Sequence, residues 1–199
     1  MDQRSRRESS DNFDQQKADE AWGFLEEGIT RIYEKQSATL SYEELYRNAY
    51  HLTLHRYGDM TYKNLSQALE KNIFKYFQKL NALQDEDFLV HLQNVWAEAK
   101  VLIRIIKNIF LYMDKNYVPS KDSSVKPIMI LGYETFKKLL LTKEHQLFDK
   151  FKREILNIIK SERDGFHIDR ILVKNLLYML VTFFSYILIT DLRILSRSS

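Results

Sequence analysis

From Phe88 to Tyr117 the chain runs without a glycine or a proline. Within that run Leu92, Val95, Ala99, Leu102, Ile106, Ile109, Met113 and Tyr117 recur at offsets of three and four. This is the repeat of one helix face; a half-buried strand would alternate at every second residue. It predicts one long helix over Phe88 to Tyr117, stopped by Pro119. Scarcity of breakers extends the argument to the whole chain. Its 199 residues include only 5 Gly and 2 Pro, which favours long helices over many short, turn-linked strands. With 45% hydrophobic and 29% charged residues the chain can bury a core, so wholesale disorder is not expected.

Other segments show the same period. Residues 1 to 13 are polar and charged and are expected to form a disordered tail. From Asp14 onwards Trp22, Leu25, Ile29 and Ile32 share a face, although Gly23 and Gly28 weaken that helix. Ser41 followed by Glu44 is a capping box that opens a second helix near Tyr42, and Gly58 is expected to close it as a left-handed cap. A third helix is predicted from Met60 to Leu80, carrying Leu65, Leu69, Ile73 and Tyr76, with a polar break from Asn81 to Asp87. After a loop over 119–127, helices are predicted at Ile128 to Leu141 and Lys143 to Glu162. The second of these has Phe148, Phe151, Ile155 and Ile159 on one face. Asp164-Gly165 marks a turn, and a last apolar helix starts near Asp169. No segment alternates like a strand. The pattern is an all-α bundle or stacked helical array with antiparallel neighbours.

Several chemistries are not expected. A net charge of +3 is mild, and the only basic cluster is Arg4, Arg6 and Arg7 in the polar tail, so no nucleic-acid partner is predicted. The absence of cysteine excludes thiolate and disulfide chemistry. Of five histidines only His51 and His55 sit at ligand spacing, and no HExxH or cysteine set completes a zinc site. The pair reads as two polar side chains on a solvated helix face; no metal, cofactor or catalytic residue is assigned. No apolar leader opens the chain, so a cytoplasmic or nuclear location is expected. Leu176 to Thr190 is nearly all apolar but shorter than the roughly 20 residues a bilayer needs. It is expected to be a core helix with an orphaned face, not a membrane segment.

The second helix has more tyrosine than a dry core uses. Leu45, Ala49 and Leu52 form the centre of its apolar face on a helical wheel. Tyr42, Tyr46, Tyr50 and Tyr57 flank it, and Glu43, Arg47 and Leu54 come next. The ordinary reading is a core edge that touches water. The other is a docking surface, because tyrosine and arginine combine large contact area with polar handles. On the long helix Val101, Ile105 and Tyr112 lie off the inner stripe, with Lys115 beside Tyr112. They belong either to a helix packed on two sides or to the same docking surface.

YEELYRNAY at 42–50, followed by LHRYG at 54–58, resembles the signature of the cullin amino-terminal domain. The resemblance is to the class that recruits BTB-domain adaptors, cullin-3. FLVHLQNVW from Phe88 and IFLYMD from Ile109 resemble the long helix of the first cullin repeat. SERDGFHIDRILVKNLLYML at 161–180 resembles a later block of the family, so the similarity covers Asp14 to Leu180. It implies stacked five-helix cullin repeats, the first repeat plus part of the second, over 14–180, with a divergent apolar and basic tail at 181–199. It also implies the non-catalytic scaffold arm of a cullin–RING ubiquitin ligase, acting in ubiquitin-dependent protein catabolism. In that class the second helix and the long fifth helix of the first repeat grip a BTB adaptor. Matching positions imply contacts from Leu40, Tyr42, Glu43, Tyr46, Arg47, Tyr50 and Leu54 on one element and from Tyr112 and Lys115 on the other. Lys115 stands where the class usually has arginine, which keeps the charge but loses the planar fork. Phe13 and Trp22 precede this face and could lie against the adaptor's helical follow-on segment. The chain reads as a truncated cullin without the carboxy-terminal domain, so no binding of the RING subunit is expected. The alternative is a generic helical interaction protein with a membrane-peripheral C-terminal helix and no ligase role.

Overall fold

Asp14 accepts a hydrogen bond from the Lys17 amide and so satisfies a free donor at the start of the first helix. In the computed structural model, which describes residues 13–82, 85–142 and 146–197, eight α-helices are found among the described residues. They are α1 (Gln15–Tyr33), α2 (Tyr42–Leu54), α3 (Gly58–Asn81), α4 (Asp85–Ile109), α5 (Leu111–Asn116), α6 (Ile128–Leu141), α7 (Leu147–Arg163) and α8 (Arg170–Arg197). Short 3-10 turns at Ser37–Thr39 and Val118–Ser120 join α1 to α2 and follow α5. The all-α array is as expected. The tail at 1–12, and the predicted helix start at 143–145 with His145, lie outside the described residues.

Three boundaries differ from expectation. The long helix is two helices, because the helical geometry breaks at Phe110, whose ring is fully buried. Tyr112 and Lys115 therefore sit on the short α5, not on the long α4. Gly58 is not the cap of α2 but opens α3. The left-handed residue is Arg56, at φ 69°. Gly58 is needed for a different reason: a Cβ there would fall 2.3 Å from the Tyr117 ring. Tyr57 consequently lies beyond α2 and not on its flank.

The predicted stripes become the core. Leu25, Ile29 and Ile32 of α1, Leu45, Ala49 and Leu52 of α2, and Leu65, Leu69, Ile73 and Leu80 of α3 are buried. On α4 the buried face is wider than the stripe and includes Trp96 and Ile103. Trp96 touches Phe136 of α6 at 4.9 Å and Phe183 of α8 at 5.1 Å, ring centre to ring centre, and Phe77 of α3 meets Phe136 at 4.9 Å. These aromatic contacts tie α3, α4, α6 and α8 into one core. The loop before α6 is pinned twice. Tyr62 donates to the Lys126 carbonyl at 2.9 Å and accepts from the Lys126 amide at 2.8 Å, while Asp114 accepts from the Ile128 amide at 2.9 Å.

On α7 Leu147 and Phe151 are buried, Phe148 and Ile155 are partly covered, and Ile159 is exposed. On α8 Leu176, Met179 and Phe183 face inward, while Ile171, Leu177, Tyr178 and Val181 face out. Position 180 falls inside α8, which continues to Arg197. No helix among the described residues is long and apolar enough to cross a membrane.

Candidate functional site

The Ser41 hydroxyl accepts the Glu44 amide at 3.2 Å, and this cap sets the rotation of α2. With Leu45, Ala49 and Leu52 fixed inward, the helical period leaves Tyr42 and Tyr46 outside, 43% and 39% exposed. Tyr50 is half-buried. Its ring centre lies 4.6 Å from that of Tyr112 on α5 and 6.5 Å from that of Tyr46. The tyrosines of α2 thus continue onto α5 through a direct ring contact. Glu43 and Arg47 are exposed along the same helix and pair at 2.6 Å, one turn apart. In solvent such a pair contributes only about 0.3–0.5 kcal/mol, so both charges remain open to an outside partner.

Leu54 is 47% exposed at the end of α2. With Tyr112 it lines a groove of about 320 Å³ between the end of α2, the start of α3 and α5. Lys115 is exposed on α5. Leu40 is half-buried against the core below the start of α2, where it supports the helix. The structure therefore brings Tyr46, Tyr50 and Tyr112 together as a ladder of rings and joins Leu54 to Tyr112 by the groove. Tyr42, Glu43 and Arg47 extend the face along α2.

Phe13 and the two histidines belong together, although the sequence placed them apart. The Phe13 ring stacks on His55 at 4.6 Å and meets Tyr57 edge-on at 5.8 Å. His51 stacks on His55 at 6.1 Å. Both histidines are half-buried under this contact, not on a solvated face. Trp22 is half-buried against the core.

Sequence reasoning missed the groove wall. Tyr117 donates to Asp59 at 2.8 Å, and Lys121 pairs with Asp59 at 2.7 Å while its ammonium lies 5.0 Å from the Tyr117 ring centre. The Lys121 hydrogen bond, and after it the Tyr117 bond, hold the Asp59 carboxyl below the ordinary carboxylate range. Burial, followed by the Asp59 acceptor, raises the Tyr117 phenol. A pattern of offsets within one helix carries no trace of these contacts, which join three elements. Among the described residues no cluster of acidic, histidine or cysteine side chains is arranged to hold a metal ion.

Residues 22–187 match the family model described as the cullin alpha solenoid domain. Similar curated proteins include a cullin-3 from Dictyostelium discoideum, 32% identical over 80% of this chain and 20% of its own length. Cullin-3A from Arabidopsis thaliana is 33% identical over 81% of the chain and 22% of its own length. A cullin-4 from Dictyostelium discoideum is 32% identical over 81% of the chain and 21% of its own length. The chain thus spans about a fifth of the length of the relatives it matches.

Proposed function

The chain belongs to the cullin family, and from that premise we propose that α2 and α5 dock BTB-domain adaptor proteins within a cullin–RING ubiquitin ligase. In this reading the chain is a non-catalytic scaffold arm. It holds the adaptor at a fixed distance and orientation and supplies no reacting group to ubiquitin-dependent protein catabolism. The observation that carries the reading is the ring contact between Tyr50 and Tyr112, which turns two helices into one continuous aromatic face. Tyr46 and Tyr50 act as the anchors. Both phenols keep a polar end while their rings supply apolar area at small entropic cost. Glu43 and Arg47 exchange their mutual ion pair for partners on the adaptor and so set register. Tyr42, Leu54, Tyr112 and Lys115 extend the contact at its margins.

The matched relatives include cullin-3 proteins of two organisms, and this likeness together with the tyrosine face supports the BTB-adaptor class. Calorimetry tests the choice. A BTB-domain protein is expected to bind the chain. Tyr46→Ala is expected to weaken that binding by about 2 kcal/mol or more, with the circular dichroism of the chain unchanged. Unaltered affinity in Tyr46→Ala would remove Tyr46 from the interface.

A further inference from the structure

Three helices end in the same hydrogen-bonded turn, with a left-handed residue one step past the cap. At the end of α7 that residue is Gly165 at φ 89°, its amide bonded to the Glu162 carbonyl and the Phe166 amide to that of Ser161. At the end of α1 it is Lys35 at φ 61°, and at the end of α2 it is Arg56 at φ 69°. The Arg56 amide bonds Thr53 at 3.3 Å and the Tyr57 amide bonds Leu52 at 2.9 Å. Glycine takes this conformation without steric cost, whereas any Cβ crowds the backbone. A side chain kept there needs a use. Lys35 has one, an ion pair with Glu98 of α4 at 3.0 Å.

Arg56 has none among the described residues. It is exposed, it lines the groove that holds Leu54 and Tyr112, and no ion pair engages it among the described residues. Asp59, the acidic residue in the groove wall, is already committed to Lys121 and Tyr117. Lys115, exposed on α5 but not among the groove-lining residues, is likewise without an ion pair among the described residues. The groove therefore continues the docking face and carries uncompensated positive charge at its rim.

We infer that Arg56 is a specificity-determining residue, held in the left-handed turn to pair with a carboxylate on an acidic segment of the adaptor that lies in this groove. The inference rests on the docking reading above. A guanidinium offers a carboxylate two parallel donors, which fixes the direction of the incoming segment as well as its charge. Discrimination follows, because an adaptor with a basic or apolar residue at that point leaves Arg56 unpaired or repelled.

The rival account is that Arg56 only complements the negative end of the α2 dipole. It predicts that Arg56→Gly lowers the melting temperature and leaves adaptor affinity unchanged. The docking role predicts the reverse. In calorimetry with a BTB-domain protein that binds the unmodified chain, Arg56→Gly and Arg56→Asn are expected to lose about tenfold in affinity. Their melting temperatures are expected to be held or raised, since both residues tolerate the left-handed turn. Arg56→Lys is expected to recover part of the loss, and binding by the unmodified chain is expected to weaken with added salt more steeply than binding by Arg56→Gly. Equal affinity of Arg56→Gly and the unmodified chain would overturn the inference while leaving the docking face intact. If no BTB-domain protein binds the unmodified chain, the docking reading falls and this inference with it.

Discussion

Tyrosine does two jobs in this chain, and individual residues show which. Tyr33, Tyr62, Tyr76 and Tyr117 have raised phenol pKa values, chiefly because burial disfavours the phenolate. For Tyr76 and Tyr117 a carboxylate acceptor, Glu98 or Asp59, adds to the effect. Tyr62 is pushed up to about 12 from the ordinary 10.0. The unfolded chain therefore loses these protons first, and the Tyr62 contribution to stability is complete below pH 10 and drains as pH rises from 10 through 12. The denaturation midpoint is expected to fall over that window and to fall less in Tyr62→Phe; a flat profile would contradict the burial of these rings. Tyr42 and Tyr46, by contrast, point outward. Periodicity separated these outward rings from Leu45, Ala49 and Leu52. It could not show that the Tyr50 ring would meet that of Tyr112, because that contact joins residues from different helices.

At the scale of elements, the Ser41 N-cap and the faces of the helices were legible, and the C-terminal caps and turns were not. Ser41 and Asp169 act as N-caps through side-chain acceptors, a role written into their residue types. The break at Phe110 has no such signature, since packing imposes it, and an arginine at position 56 gives no sign in the sequence of a left-handed turn that glycine would mark. The glycines mislead in the same way. Gly28 reads as a weak point in α1, yet a Cβ there would lie 2.4 Å from Cδ2 of the fully buried Leu45. It is the position that lets α1 and α2 approach. Gly28→Ala gains about 1 kcal/mol of helix propensity but overpacks a site that cannot expand, at about 1–3 kcal/mol. A net loss of stability is expected in urea denaturation, together with a weaker hold on the register of α2. A gain in stability would mean that α1 and α2 are not in close contact there.

For the whole molecule, one hydrophobic core runs from α1 to α8 among the described residues, and it leaves two surfaces with unequal character. The α2–α5 face mixes rings with charges. The outer face of α8 is more apolar: Leu177, Tyr178 and Val181 line a groove of about 440 Å³ with Ile168 and Val173, edged by the charged Glu162, Arg170 and Lys174. Such a surface promotes association in water. Replacing Leu177 and Val181 together by lysine is expected to reduce light scattering at high concentration and to shift the melting midpoint little, because neither side chain is buried. A large drop in the midpoint would place those residues in the core. The fold was readable because helices announce themselves by period. The proposed docking face rests on a resemblance to a family, since exposure alone does not distinguish a core edge from an interface. The measurement that tests the central claim most directly is hydrogen–deuterium exchange of the chain with and without a saturating BTB-domain protein. Protection is expected in α2, in α5 and in the turn around Arg56. Protection confined to α7 and α8, or none at all with the adaptor bound, would contradict the account.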